Sequence, residues 1–127
     1  MSDNKNLLLI AEKKQVRDQI GQALRKSYNV KVATGGFHAL HLIEQETFEL
    51  VVVIGDSQDM AATELITLLR TNFSQRELPI LFLGGKGGTG MLDAIEVGAN
   101  AYLPLSQNLN ILLKKVQELF KDLVSSY

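Results

Sequence analysis

The sequence predicts an α/β domain of five β-α units, a doubly wound five-stranded parallel sheet with helices on both faces. Three observations carry this. Short apolar runs recur along the chain, the segments between them have helical periodicity, and the two kinds alternate five times over. The first, third and fourth runs are continuously apolar rather than alternating, the pattern of parallel strands covered on both faces.

In chain order, Leu7 to Ala11 is the first strand, and Val16, Ile20, Ala23 and Leu24 share one face of the helix after it. Val30 to Ala33 is the second strand, followed by a stripe of Phe37, Leu40 and Ile43. Leu50 to Ile54 is the third, followed by Leu65, Leu68 and Leu69. Pro79 opens the fourth, Ile80 to Leu83, where a missing N–H is tolerated. The fourth helix, Met91 to Val97, is apolar at Met91, Leu92, Ala94, Ile95 and Val97, more than one core-facing stripe requires. The surplus reads either as an exposed patch that binds a partner or as a short helix that is well buried. Ala101 to Leu103 is the fifth strand. Leu109, Leu112, Leu113, Val116, Leu119, Phe120 and Leu123 mark the last helix.

The chain has 127 residues, the size of one domain spanning 1–127, and shows no linker or internal repeat. It reads as a single-domain protein or as the N-terminal module of a longer one. It is 46% hydrophobic and 21% charged, with formal net charge −1, so it has no electrostatic footprint for nucleic acid. There are no cysteines, which excludes disulfides, thiolate metal sites and cysteine nucleophiles. The apolar run after the polar Met1 to Asn6 is too short for a signal peptide or a membrane span. A soluble cytoplasmic domain without membrane insertion is expected.

In an open parallel sheet, ligands and chemistry sit at the carboxyl ends of the strands. The third strand ends in Ile54, which cannot accept a phosphoryl group, bind a metal or move a proton. Asp56 is the nearest carboxylate, and a shift of two residues would preserve strand parity. The favoured reading is a solvated loop aspartate, with Asp59 a weaker candidate still. His38 and His41 lie three apart on a helix, without a second cluster of ligands to complete a metal site. Ser57, Ser74 and Ser106 have no His-Asp arrangement to make a hydrolase. The segment Gly84-Gly85-Lys86-Gly87-Gly88-Thr89-Gly90 contains five glycines. Its last five residues resemble the start of the deviant phosphate loop of partition-type ATPases. Met91 and Leu92 stand where that loop needs Lys and Ser/Thr. A mobile loop is the favoured reading, and nucleotide or phosphate binding the alternative.

The local sequence from about Leu7 to Leu123 resembles the receiver domain of bacterial two-component response regulators. Leu7-Leu8-Leu9-Ile10 is similar to the first receiver strand, Gly36-Phe37-His38-Ala39-Leu40 to the start of the second helix, and Glu49-Leu50-Val51-Val52-Val53 to the third strand. Ala94 to Leu103 resembles the Ala-x-x-x-Gly-Ala-x-x-Tyr-Leu entry into the fifth strand. The resemblance implies a flavodoxin-like, chemotaxis-regulator-like topology with strand order 2-1-3-4-5. It also implies where the phosphorylation chemistry should be. The acidic pair falls on Ala11 and Glu12, the phosphoacceptor on Ile54, the Ser/Thr on Gly84, and the Lys-Pro pair on Leu105 and Ser106. Tyr102 takes the switch-aromatic position, read here as a half-buried packing tyrosine with one fixed rotamer.

A lone glutamate is a poor magnesium site, and phosphoryl transfer depends on that ion. The charged groups are lost together, so no buried lysine is left without a partner. Ala11, Ile54 and Leu105 are expected to form a small apolar plug over the strand ends, each buried aliphatic side chain contributing about 1.5–3 kcal/mol. The chain therefore reads as a non-phosphorylatable pseudo-receiver, not an enzyme, needing no metal or cofactor. It would act through a protein partner or as a homodimer. The family's output face implies contact through the fourth helix, fifth strand and fifth helix, with Met91, Leu92, Ile95 and Tyr102 at the interface.

Overall fold

A computed structural model of the chain describes residues 5–85, 87–106 and 108–125, with side chains in the last helix described to 121. The elements are β1 (Asn6–Ala11), α1 (Lys14–Arg25), β2 (Asn29–Ala33), α2 (Gly36–Gln45), β3 (Leu50–Ile54), α3 (Ala62–Arg70), β4 (Ile80–Gly84), α4 (Met91–Glu96), β5 (Ala101–Pro104) and α5 (Leu109–Ser125). The five strands are parallel, in the order β2-β1-β3-β4-β5, as the resemblance implies.

Strand parity builds two cores. Leu8, Ile10, Val51, Val53, Ile80 and Phe82 face one side and pack with Ala39 of α2, Leu65, Ile66 and Leu69 of α3 and Ala94 of α4. Leu7, Leu9, Leu50, Val52, Leu81 and Leu83 face the other and pack with Ile20 and Leu24 of α1 and Leu112, Val116 and Phe120 of α5. The three central strands are buried on both faces, which is why they are continuously apolar. The edge strand β2 alternates instead, with Asn29 and Lys31 exposed.

Two expected helix stripes shift by a residue or more. Phe37 is 63% exposed, because α2 turns Gly36 and Ala39 inward. In α3 it is Ile66, not Leu68, that joins Leu65 and Leu69 in the core. The Leu123 side chain lies outside the described residues. Among the described residues, no helix is long and apolar enough to cross a membrane.

At the amino-terminal end of the sheet, Arg70 closes the C-terminus of α3 onto β4 and β5. Its guanidinium donates to the carbonyls of Gly98 (2.8 Å), Leu78 (2.9 Å), Ser74 (3.2 Å) and Phe73 (3.3 Å), and to Asn100 Oδ1 at 2.8 Å. The same Asn100 oxygen accepts the Ile80 N–H, and Asn100 Nδ2 donates to the Gln75 carbonyl. The planar fork of arginine suits several acceptors at once, and burial presses its pKa downward without a carboxylate to oppose it. Replacing Arg70 by Met keeps bulk but removes these five bonds, and the Leu78 and Phe73 carbonyls lose this donor. The expected cost is about 2 kcal/mol of unfolding free energy, measured by urea denaturation.

Candidate functional site

The carboxyl ends of the strands meet where the resemblance places phosphorylation chemistry. Register sets Ala11 of β1 beside Ile54 of β3, Ile54 beside Leu83 of β4, and Gly84 beside Pro104 of β5. Leu105 follows, its N–H donating to the Gly84 carbonyl at 2.8 Å. Ala11 is buried, Ile54 and Leu105 are half-buried, and all three line one cavity of about 290 Å³. The expected apolar plug is thus incomplete: these side chains are too short to fill the space above the strand ends. They form the cavity's apolar floor, which Val16 of α1 completes.

Glu12 and Lys13 stand on the rim. Glu12 Oε2 accepts the Gln58 N–H at 3.1 Å, while Arg17 Nη1 donates to the carbonyls of Ala11 and Glu12 at 3.1 Å each. The fold's usual magnesium site does not fit these residues. Two of its three acidic positions are Ala11 and Ile54, and the third, Glu12, is engaged by a backbone amide. Among the described residues no three His, Asp or Glu side chains gather as a metal-binding group. His38 instead accepts the Thr34 N–H through Nδ1 at 3.1 Å, and His41 is exposed.

Asp56 is not a free loop carboxylate. Its Oδ1 accepts the Ala62 N–H at 2.6 Å and the Thr89 hydroxyl at 2.7 Å, and its Oδ2 accepts the Thr89 N–H at 2.9 Å. Ala62 is the first residue of α3, which has no side-chain cap of its own at Ala61. Asp56 therefore caps α3 from outside and ties it to the β4-α4 loop. Gly88 has φ +68°, and a Cβ there would collide with Asp56 Oδ2, so glycine is required for this approach. Burial pushes the Asp56 pKa up, but the bonds from Ala62 and Thr89 outweigh it and hold the carboxyl below the ordinary value near 3.8.

Asp59 acts in parallel. It accepts the N–H groups of Gly36 and Phe37 at 3.1 Å each and the Ser57 hydroxyl at 2.6 Å. It thereby caps α2, whose N-cap Gly35 has no side chain to do so. The Ser57 hydroxyl, then the two amides, lower its pKa. Two aspartates of one loop thus cap two different helices.

These contacts bear on the loop alternatives. Thr89 is buried and held by Asp56, so this part of the glycine segment is fastened. A phosphate at Gly88 and Thr89 would meet the Asp56 carboxylate, which disfavours nucleotide binding there. Lys86 lies outside the described residues.

Tyr102 lies half-buried on β5, its ring 6.0 Å from that of Phe82. It covers Gly84: a Cβ on Gly84 would sit 2.9 Å from Tyr102 Cε1 and 2.9 Å from Phe82 Cε2. The absent side chain at Gly84 and the inward ring at Tyr102 are one packing arrangement. On α4, Met91, Leu92 and Ile95 are 50%, 77% and 43% exposed, so the surplus apolar residues face outward.

No family model matches the chain. A protein named "Probable transcriptional regulator ycf29" from Pyropia yezoensis is 28% identical over 95 residues, 74% of this chain and 43% of that protein. This chain thus spans less than half of its curated relative. Among solved structures, a response regulator receiver domain protein (CheY-like) from Methanospirillum hungatei JF-1 aligns with TM-score 0.86 and 22% identity, covering 98% of this chain and 100% of that one. The chemotaxis response regulator CheY4 of Vibrio cholerae aligns with TM-score 0.81 and 22% identity over 91% of this chain and 98% of its own. A two-component system response regulator/GGDEF domain protein aligns with TM-score 0.89 and 22% identity over 95% of this chain, which covers 51% of that protein. The chain has the receiver fold.

Removing the Asp56 carboxylate in Asp56→Ala should cost about 1–3 kcal/mol at pH 7, read by urea denaturation. Folding lowers the pKa of both Asp56 and Asp59, so their stabilisation is complete above the unfolded value near 3.8. It is lost as pH falls through the lower folded-state values. The deficit of Asp56→Ala should therefore be largest at neutral pH and shrink on acidification below 3.8. Gly84→Thr should cost about 1–3 kcal/mol by overpacking. Combining it with Tyr102→Leu should recover part of that loss in thermal unfolding, since the approach to Phe82 remains.

Proposed function

We propose that this chain is a pseudo-receiver: a receiver-fold module of two-component-type signalling that works by protein contact without phosphorylation and catalyses no reaction. The observation that carries this is the pair at the strand ends, Ile54 with Ala11 beside it. Neither side chain can accept a phosphoryl group or hold the magnesium that phosphoryl transfer uses. The nearest carboxylate, Asp56, already accepts three hydrogen bonds that fasten α3 and the β4-α4 loop. The similarity to proteins named response regulators, and to one named a transcriptional regulator, supports a signalling role.

The contact surface in this reading is the face of α4, β5 and α5. Its exposed apolar residues are Met91, Leu92 and Ile95, with Tyr102 behind them as a packing residue. The occupant is a partner protein or a second copy of the chain. The near-neutral charge argues against nucleic acid as the partner of this domain, and we place its action in the cytoplasm.

Treatment with acetyl phosphate, or with beryllofluoride and magnesium, should leave the mass unchanged and the ¹⁵N–¹H spectrum unshifted. A stoichiometric phosphoryl adduct on Asp56 would overturn the reading in favour of a relocated acceptor. Light scattering tests self-association. If the chain is a dimer through α4, Leu92→Asp should convert it to a monomer while leaving its thermal midpoint within a few degrees, as expected at an exposed site.

A further inference from the structure

We propose that the cavity above the strand ends is a binding site for a small uncharged molecule with an apolar body and one N–H or O–H donor. This goes beyond protein contact and does not depend on it. The location is the one where open α/β sheets bind ligands. The cavity, about 290 Å³, is large enough for a small organic molecule. Its floor is made of Ala11, Val16, Ile54 and Leu105. Ile54 ends the central strand β3 and Leu105 follows the edge strand β5, and both are only partly buried, so an apolar ligand would complete their burial.

The described charges favour an uncharged ligand. Among the described lining residues, an anion would face two carboxylates, Glu12 and Asp56, and a cation would face Lys13 on the rim. An uncharged molecule avoids both. Asp56 has both oxygens engaged, whereas Glu12 uses Oε2 for Gln58 and has no hydrogen bond at Oε1 among the described residues. Glu12 Oε1 is the acceptor for the ligand's donor. The wall formed by Gly88 and Thr89 is held in place by Asp56, so this side of the site is preformed.

Indole is a suitable probe, since it is small and uncharged and carries an N–H donor. Titrated into the ¹⁵N-labelled chain, it should shift the amides of Gly55, Asp56 and Thr89 saturably. 1-Methylindole, which lacks the donor, should bind at least fivefold more weakly, and benzoate should not bind. Glu12→Ala should weaken indole by a similar factor and leave 1-methylindole unchanged. Leu105→Lys, at a partly buried position of the floor and checked for a folded thermal transition, should abolish both. Absence of saturable shifts with indole would overturn the proposal. So would equal affinity of the two indoles, binding of benzoate as tight as indole, or indole binding that persists in Leu105→Lys. The phosphorylation experiment has no bearing on these outcomes, so the two proposals fail separately.

Discussion

A parallel sheet has to be covered on both faces, because its crossover connections lay helices across each side. That constraint organises this molecule. The side chains of β1, β3 and β4 are buried whichever way they point, so these strands have almost no polar residues. Chemistry is pushed to the strand ends and the loops beyond them. Register then brings Ala11, Ile54 and Gly84 to one edge of the sheet, whatever their identities. In a receiver-fold protein that edge is where charged groups would be concentrated. Here it carries small and apolar side chains.

Two aspartates and an arginine serve structural tasks. Asp56 and Asp59 stand in one loop and satisfy backbone amides at the N-termini of α3 and α2. Helix termini leave amides without intrahelical partners, and neither Ala61 nor Gly35 can supply a cap. A negative charge is also favourable at a helix N-terminus. At the opposite end of the sheet, Arg70 takes the complementary role with carbonyl oxygens. The two ends of the sheet are thus fastened by different means: carboxylates to amides above, a guanidinium to carbonyls below.

The packing of Tyr102 over Gly84 belongs to the same pattern. With no side chain at Gly84, the ring occupies the space between β4 and β5. On α4, Met91, Leu92 and Ile95 are exposed. The open volume that remains lies above the strand ends, bounded by an apolar floor and by charges of both signs.

Strands were the most legible elements. Continuous apolar runs marked β1, β3 and β4 to within a residue, because two-sided burial leaves an unambiguous composition. Helices were legible as elements but less so in detail. Phe37 and Leu68 belong to plausible apolar stripes, yet Phe37 is well exposed and Leu68 partly so. Periodicity fixes which residues share a face, not which face meets the sheet. The strand ends, Ala11 of β1 and Ile54 of β3 among them, were legible because the apolar runs stop there. The roles of Asp56, Asp59 and Arg70 could not. Each bonds to groups distant in the chain, up to 33 residues away for Asp56 and Thr89. Local sequence determined the strands and the small and apolar residues at their ends. Only the tertiary structure decided where Asp56, Asp59 and Arg70 found partners, because most of those partners are backbone amides and carbonyls, which nearly every residue carries and no sequence distinguishes.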